Sequence, residues 1–418
     1  MTRNWTFSIF PRSTILFDTC RSRRWGKAHK LTRKQGWIMW TNAGALRDDA
    51  LVDYVQKLAP QLKQMTIFPS EICNYRCNFC HIWGDTGWAL KEPQRVIREQ
   101  LDIAVLKRFI DQVAAVNRNV GVILTGGEIM LYQHFEELVS HLRSKRMNVY
   151  LLTNGSLIKK RINFLIENVV ICNISIDGPR EYHDEIRGKG SFDTICDNIE
   201  ALLQEKKRRK KMFPYISINM VLSPTNYKAA KDLIPSLRER FKDSTIILHD
   251  TKNPWMKKRD IAVNFSPLLY TTPERGQAYA KQMKEHLNVD VSPAWQGFVE
   301  EAIDIDTQYL KKDLQDIWAA EGVDYSDYVD IHDYYTDIHN VFGRSKCVAP
   351  WHELIIRRTG DVYPCVDLPD YKLGNIYENS YEEIWEGERA ATFRDYLKTD
   401  NLMMCNRCTR LFADAETF

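Results

Sequence analysis

"CNYRCNFC", residues 73–80, sets three cysteines within eight residues, with gaps of three and then two. The run before it, "MTIFPS" (65–70), is short and apolar. The same kind of run returns at "VGVILT" (120–125), "NVYLLT" (148–153), "VVICNISI" (169–176), "YISINMVL" (215–222) and "STIILH" (244–249). These read as six strands whose nearly continuous apolar character asks for cover on both faces. Amphipathic stretches at 102–116, 132–145, 191–209 and 227–241 read as the helices between them.

Strand and helix in regular alternation predict an α/β fold: a parallel sheet curled into a partial (β/α)6 barrel of the TIM type over residues 66–250. Chemistry in such barrels gathers where strands end. The unusual residues fall at those ends. The three-cysteine loop follows the first strand, "TGGE" (Thr125, Gly126, Gly127, Glu128) the second, "TNGS" (153–156) the third and "SIDG" (Ser175 to Gly178) the fourth.

A chain of 418 residues with 44% hydrophobic content can bury a full core and carry a second unit, while a net charge of +3 is too small to suggest a nucleic acid partner. No apolar run is long enough to span a bilayer, so the expected protein is soluble and cytoplasmic, with no membrane partner. Residues 1–65 read as a basic, aromatic N-terminal extension: nine Lys or Arg precede position 36 against Asp18 alone, interleaved with Trp5, Phe7, Phe10 and Trp25, and followed by one helix, "LRDDALVDYVQKLA" (46–59). Residues 251–346 lose the alternation and read as a helical insertion or linker, with a substrate lid as the alternative. "KKRRKK" (206–211) closes a helix where cations suit the dipole, and reads as a solvated face.

Ten cysteines are present, and seven cluster in motifs, which in a large chain points to metal rather than disulfides. Three thiolates on one loop can hold three corners of a cubic iron–sulfur cluster and leave one iron open. Three cysteines with a remote fourth donor could equally close a zinc tetrahedron. Four more cysteines lie in "CVAPWHELIIRRTGDVYPC" (Cys347 to Cys365) and "CNRC" (Cys405, Cys408). "ELIIRR", a turn at Thr359, Gly360 and Asp361, and "VYPC" read as a hairpin, and "LGNIYENSYEEIWEGERAATFR" as a turn followed by a helix. Four thiolates can saturate a cube, or make a zinc ribbon.

The CxxxCxxC form of residues 73–80, with Phe79 before the last Cys, resembles the radical S-adenosylmethionine (radical SAM) superfamily. The resemblance covers about residues 66–250. It implies a [4Fe-4S] cluster on Cys73, Cys77 and Cys80 whose open iron takes S-adenosylmethionine. "TGGE" is similar to the family's GGE motif, whose backbone would hold the amino group of that cofactor, with Glu128 as a cofactor-holding carboxylate. "SIDG" with "HDEIRGKGSFD" (183–193) resembles the sulfatase-maturase-like branch; the likeness implies that Ser175 and Arg187 contact the cofactor's ribose or carboxylate and that Asn219 lines it. Each piece also has a plainer reading: paired glycines as a turn, Asp177–Gly178 as a turn pair, Arg187 as a surface cation.

Residues 347–418 resemble the SPASM and Twitch domains, which implies one auxiliary [4Fe-4S] cluster on Cys347, Cys365, Cys405 and Cys408. Since no cysteine follows Cys408, the shorter Twitch form is expected. The resemblance implies an oxidoreductase that cleaves S-adenosylmethionine to a 5′-deoxyadenosyl radical, takes a hydrogen atom from substrate and passes the remaining electron to the auxiliary cluster. Its partners would be a small-molecule or peptide substrate and an external one-electron reductant such as flavodoxin or ferredoxin. A small-molecule dehydrogenation leads; maturation of a ribosomally made peptide, epimerisation, and a non-catalytic zinc protein are the alternatives. For epimerisation a spare thiol is needed. Cys172 and Cys196 read as core residues, leaving Cys20.

Overall fold

The computed structural model describes residues 56–85, 87–249, 259–292, 303–322, 331–337, 347–367 and 369–408, all inside one compact unit running from Ile38 to Phe418. The aromatic residues of the basic extension, Cys20 and most of the 46–59 helix lie outside the described residues.

Ten strands form one sheet: β1 Gln64–Ile67, β2 Gly121–Leu124, β3 Asn148–Thr153, β4 Ile171–Ser175, β5 Tyr215–Leu222, β6 Ile246–Leu248, β7 Ile261–Pro267, β8 Glu353–Ile356, β9 Asp361–Tyr363 and β10 Gly374–Asn375. Their order across the sheet is β10-β9-β8-β1-β2-β3-β4-β5-β7-β6. From β8 to β6 every pairing is parallel, and β9 and β10 add antiparallel. The fold is α/β, a barrel-like parallel core with a smaller C-terminal part.

Helices cross between the parallel strands. They include α1 Ile103–Val116, α2 Phe135–Ser144, α3 Arg180–Arg187, α4 Ser191–Arg209 and α5 Ala230–Arg240. Asp102 starts α1 by accepting from the amides of Ala104 and Val105 at 2.7 and 3.1 Å, satisfying donors that the first turn leaves without partners.

The two faces of the sheet differ. Along β5, Ile216, Ile218, Met220 and Leu222 are buried in the aliphatic layer beneath the helices, while Tyr215, Ser217, Asn219 and Val221 are only partly covered. β3 and β4 contribute Val149, Leu151, Cys172 and Ile174 to the same layer. Cover on both faces was expected and holds for β1, β2, β7 and β8 apart from their ends, whereas in β3, β4 and β5 the second face is only partly covered. The period of two in these last strands makes that division.

Two further differences appear, the first of them after residue 250. Ile261–Pro267 is a strand, and it inserts between β5 and β6 rather than belonging to a helical insertion. Its polar Asn264 and Ser266 interrupt the apolar run and hide the period. Helices α6 Pro273–Leu287, α7 Thr307–Ala320 and α8 Ile331–Thr336 then follow. At the end of α4, the basic run is not wholly solvated: Lys206 is buried and donates to the carbonyl of Pro214 at 2.6 Å.

The C-terminal hairpin forms as expected, β8 against β9 with Gly360 at φ 83° in the turn. Beyond it β10 is followed by two helices rather than one, α9 Tyr381–Trp385 and α10 Glu388–Thr399. β8 pairs with β1 along Gln64 to Ile67, so the C-terminal part extends the barrel sheet and closes an edge that would otherwise be open. Among the described residues no helix is long and apolar enough to cross a membrane.

Two buried histidines give the fold a pH dependence. Burial holds His183 down to about 4 and His249 to about 3, against an ordinary value of 6.5. As pH falls the unfolded chain takes up these protons first, so their stabilisation is complete above about 6.5 and drains away through the folded-state values. Urea midpoints should fall steeply between pH 7 and pH 4, and less steeply for H183Q.

Candidate functional site

The loop after β1 is held by the loops after β2 and β3. Thr125 donates its amide to Ile67, Gly127 to Ser70 and Glu128 to Ile72, at 3.1, 3.3 and 2.7 Å. The approach is so close that a Cβ on Gly126 would stand 2.0 Å from the Ser70 carbonyl oxygen, and one on Gly127 2.3 Å from that of Ile72. Gly126 also has φ 143°, a conformation that L side chains rarely adopt. The glycines are therefore needed for contact between loops, beyond making a turn.

Glu128 is placed differently from the expectation of a carboxylate turned toward a cofactor. Its side chain is fully buried. It accepts from the Met130 amide at 3.1 Å, the Thr153 hydroxyl at 2.9 Å and the Asn154 amide at 2.8 Å. Burial pushes its carboxyl up while those donors pull it back. The carboxylate thus ties the loop after β2 to the end of β3.

Asn154, which the sequence reading passed over, carries the clamp to the cysteines. Its side-chain amide donates to Asn74 Oδ1 at 2.9 Å and lies 3.9 Å from the sulfur of Cys73. Asn74 in turn donates to Ser156 at 3.0 Å. The amides of Tyr75 and Trp83 point at the sulfurs of Cys73 and Cys80, each at 3.4 Å. The Trp83 indole donates to the Glu71 carbonyl at 2.6 Å, under the guanidinium of Arg76.

Ser175 and Asn219 lie in register on neighbouring strands, and Asn264 lies next in line on β7. Asn219 donates to Ser266 at 2.9 Å. Ser175 ends β4, while Asn219 and Asn264 lie inside β5 and β7 on the same face. Arg187 is not a surface cation: its Nε is 2.5 Å from Asp177, with both side chains buried. Its charge is felt by Cys77 and Tyr75, so the guanidinium reaches the cysteine loop. Asp177, read from sequence as half of a turn pair, is the hub that holds it. Its carboxylate also accepts from the Val221 amide, its own amide donates to His183 Nδ1, and its carbonyl accepts from Asn226. Phe79 is partly exposed in the cysteine loop.

The three thiols lie within electrostatic range of one another. Burial pushes Cys73 up to about 11, with Cys77 and Cys80 adding to it, and raises Cys77 too. Three adjacent thiolates are unfavourable there unless a cation holds them, and amides aimed at sulfur are what a bound cluster needs. In the C-terminal part, burial drives Cys405 up to about 12, and Cys408 is raised by burial, then by Asp367, Cys365, Cys347 and Cys405. The Cys408 thiol donates to Asp367 at 3.4 Å. Among the described residues no three His, Cys, Asp or Glu groups converge as for a single ion. Cys172 and Cys196 are fully buried in the aliphatic layer, as expected.

Comparison with known proteins agrees with this geometry. Residues 67–234 match the Radical SAM superfamily and residues 347–409 match SPASM, an iron–sulfur cluster-binding domain. The serine-type anaerobic sulfatase-maturating enzyme of Bacteroides thetaiotaomicron is 25% identical over 82% of this chain and 78% of its own length. The AdoMet-dependent heme synthase of Methanosarcina barkeri is 27% identical over 80% of this chain and 85% of its own. The structure of Streptococcus suis SuiB bound to precursor peptide SuiA superposes with a TM-score of 0.51 at 15% identity, covering 86% of this chain and 73% of that one, a likeness of fold.

The Asp177–Arg187 pair yields a prediction. D177N leaves a buried guanidinium without its counter-charge and should cost the metal-free chain about 3 kcal/mol or more in urea unfolding. D193N, which breaks the exposed pair with Arg180, should cost less than about 1 kcal/mol. Equal losses would contradict the role given to Asp177.

Proposed function

As a member of the radical SAM superfamily with a C-terminal SPASM domain, the chain is an enzyme of iron–sulfur clusters and S-adenosylmethionine, and we propose that it oxidatively modifies a side chain of a peptide or protein. Similarity to a sulfatase-maturating enzyme along 82% of the chain carries this reading. It moves the substrate from the small molecule that leads in the sequence reading to the peptide alternative. Two separate sets of thiols, one at the strand ends and one in the C-terminal part, support the oxidative half of the proposal.

When bound, the clusters and S-adenosylmethionine supply one-electron chemistry able to take a hydrogen atom from an unactivated carbon and to receive the electron left behind. The protein's part is placement. Cys73, Cys77 and Cys80 hold the first cluster, their sulfurs steadied by the Tyr75 and Trp83 amides and by Asn154. The amides of Gly127 and Glu128 are already committed to the cysteine loop, so a cationic amino group would meet the carbonyl oxygens of this turn. Arg187, fixed by Asp177, stands beside Cys77 with a charge suited to a carboxylate. Ser175 and Asn219 offer neutral hydrogen-bonding groups on the open face, Thr125 and Phe79 flank the mouth, and Cys347, Cys365, Cys405 and Cys408 hold the second cluster. The described helices between 273 and 336 would help shape the substrate entrance, and a flavodoxin- or ferredoxin-type reductant would supply electrons.

A small-molecule substrate is the second reading, favoured by the similarity to the heme synthase. Protein reconstituted under argon should be brown and carry about eight irons per chain. C77A should keep about half the iron and form no 5′-deoxyadenosine, whereas C405A/C408A should lose about half the iron yet still cleave S-adenosylmethionine. Deuterium should pass from Ser- or Cys-labelled peptides into 5′-deoxyadenosine. Label arriving only from small molecules would overturn the peptide assignment, and colourless protein holding zinc alone would overturn the enzyme reading.

A further inference from the structure

The C-terminal CxxC encloses a cation that protein structure alone does not explain. Arg407, between Cys405 and Cys408, is 0% exposed. Its Nη2 donates to the Tyr334 carbonyl at 2.8 Å, and the Tyr334 hydroxyl donates back to the Arg407 carbonyl at 3.2 Å. The guanidinium carbon lies 3.7 Å from the centre of the Tyr334 ring and 4.4 Å from that of Tyr270. Nε and Nη1 have no hydrogen-bond partner, and among the described residues no carboxylate pairs with this side chain. Ring faces repay part of the cost of dehydrating a guanidinium, but two idle donors and an unanswered charge remain.

A second guanidinium lies close by, itself countered by the charge of Asp337. Arg275 is also buried, donates to the Met403 carbonyl at 3.0 Å, and feels the charge of Arg407. Two guanidiniums therefore share this corner. What a CxxC brings to the same turn is thiolate: Cys405 and Cys408 are closed together by the Cys408 amide bonding to the Cys405 carbonyl at 3.0 Å. A cluster with four thiolates carries net negative charge that grows by one on reduction.

We propose that Arg407 sets the reduction potential of the auxiliary cluster, its fixed buried charge on the residue between Cys405 and Cys408 favouring the reduced state. The inference rests on the reading that Cys347, Cys365, Cys405 and Cys408 hold that cluster. Reduction adds one electron and no proton; the guanidinium, which keeps its charge in proteins, answers it without moving. Arg407 is thus a positioning residue for electron acceptance, held in place by Tyr334 and Tyr270.

The test is an EPR-followed reductive titration of the full chain carrying Cys73, Cys77 and Cys80 as alanine, so that only the C-terminal cluster reports. If this parent binds no iron, the ligand assignment itself fails. If it does, R407M should hold the same iron and be at least tenfold harder to reduce, a midpoint about 59 mV or more lower, while R407K stays within threefold of the parent. An R407M midpoint equal to the parent's with iron bound overturns the proposal. Should R407M bind no iron, R407K decides: parental iron and a midpoint within threefold support the role, and loss of iron or a tenfold shift in R407K overturns it.

Discussion

A single carboxylate with no access to water organises the mouth of this barrel. Glu128, in the loop after β2, bonds to the end of β3 and the start of the loop that follows it, and through Asn154 its hold extends to Asn74 and Cys73. Burying such a group is tolerable only because amide and hydroxyl donors surround it. Those donors come from different strand ends, so satisfying the charge forces the ends into one arrangement. The paired glycines before it serve the same purpose sterically, since backbone must meet backbone where Ser70 and Ile72 cross Gly126 and Gly127. A loop of three thiols, with Cys73 and Cys77 made costly to ionise by burial, is thereby presented on a frame that does not depend on the thiols themselves.

Much of this was legible in the sequence because it rests on short-range patterns. Strands β1 to β6 and the long helix Ser191–Arg209 follow from hydrophobic period, and the β8–β9 hairpin follows from a glycine between two apolar runs. β7 was missed because Asn264 and Ser266, on the polar face, break its run, and because its partner β5 lies some forty residues back in the chain. Period alone cannot say which strand sits beside which. The site divides similarly. Cysteine spacing marks both thiol sets, and register brings Ser175 beside Asn219. The inward turn of Glu128 and the coupling of Asp177 to Arg187 depend on three-dimensional donor placement, for which no local signal exists. Asp177 reads as a turn residue, and it is one; its carboxylate acquires a second task only when α3 folds back over the strand end.

The open, polar face of the sheet bears on substrate choice. A barrel filled by side chains on both faces would leave no room for a reacting group. Here Ser217, Asn219 and Val221 remain partly accessible while the residues alternating with them are sealed beneath helices. Neutral hydrogen-bonding groups on such a surface suit an uncharged side chain or peptide backbone better than a highly charged ligand, whose desolvation they would not repay.

The two thiol sets also belong to one mechanical body. β8 pairs with β1 over four residues, and the turn that follows β8 returns to the base of the cysteine loop. There Arg358 meets Glu71 at 3.2 Å and Glu99 at 3.0 Å, while Arg357 lies 3.9 Å from the centre of the Phe68 ring and donates to the carbonyl of Val366, next to Cys365. In the Arg358–Glu71 and Arg357–Phe68 contacts one partner sits on the strand or loop leading to Cys73 and the other on the hairpin leading to Cys365. Sliding one set relative to the other would expose a buried guanidinium and break a ladder of parallel backbone bonds, a loss no small motion could offset. Electron transfer through protein depends steeply on separation, so a fixed spacing serves an acceptor better than a hinged one. The pairing of β8 with β1 is therefore the feature that joins the cluster-binding part to the barrel sheet.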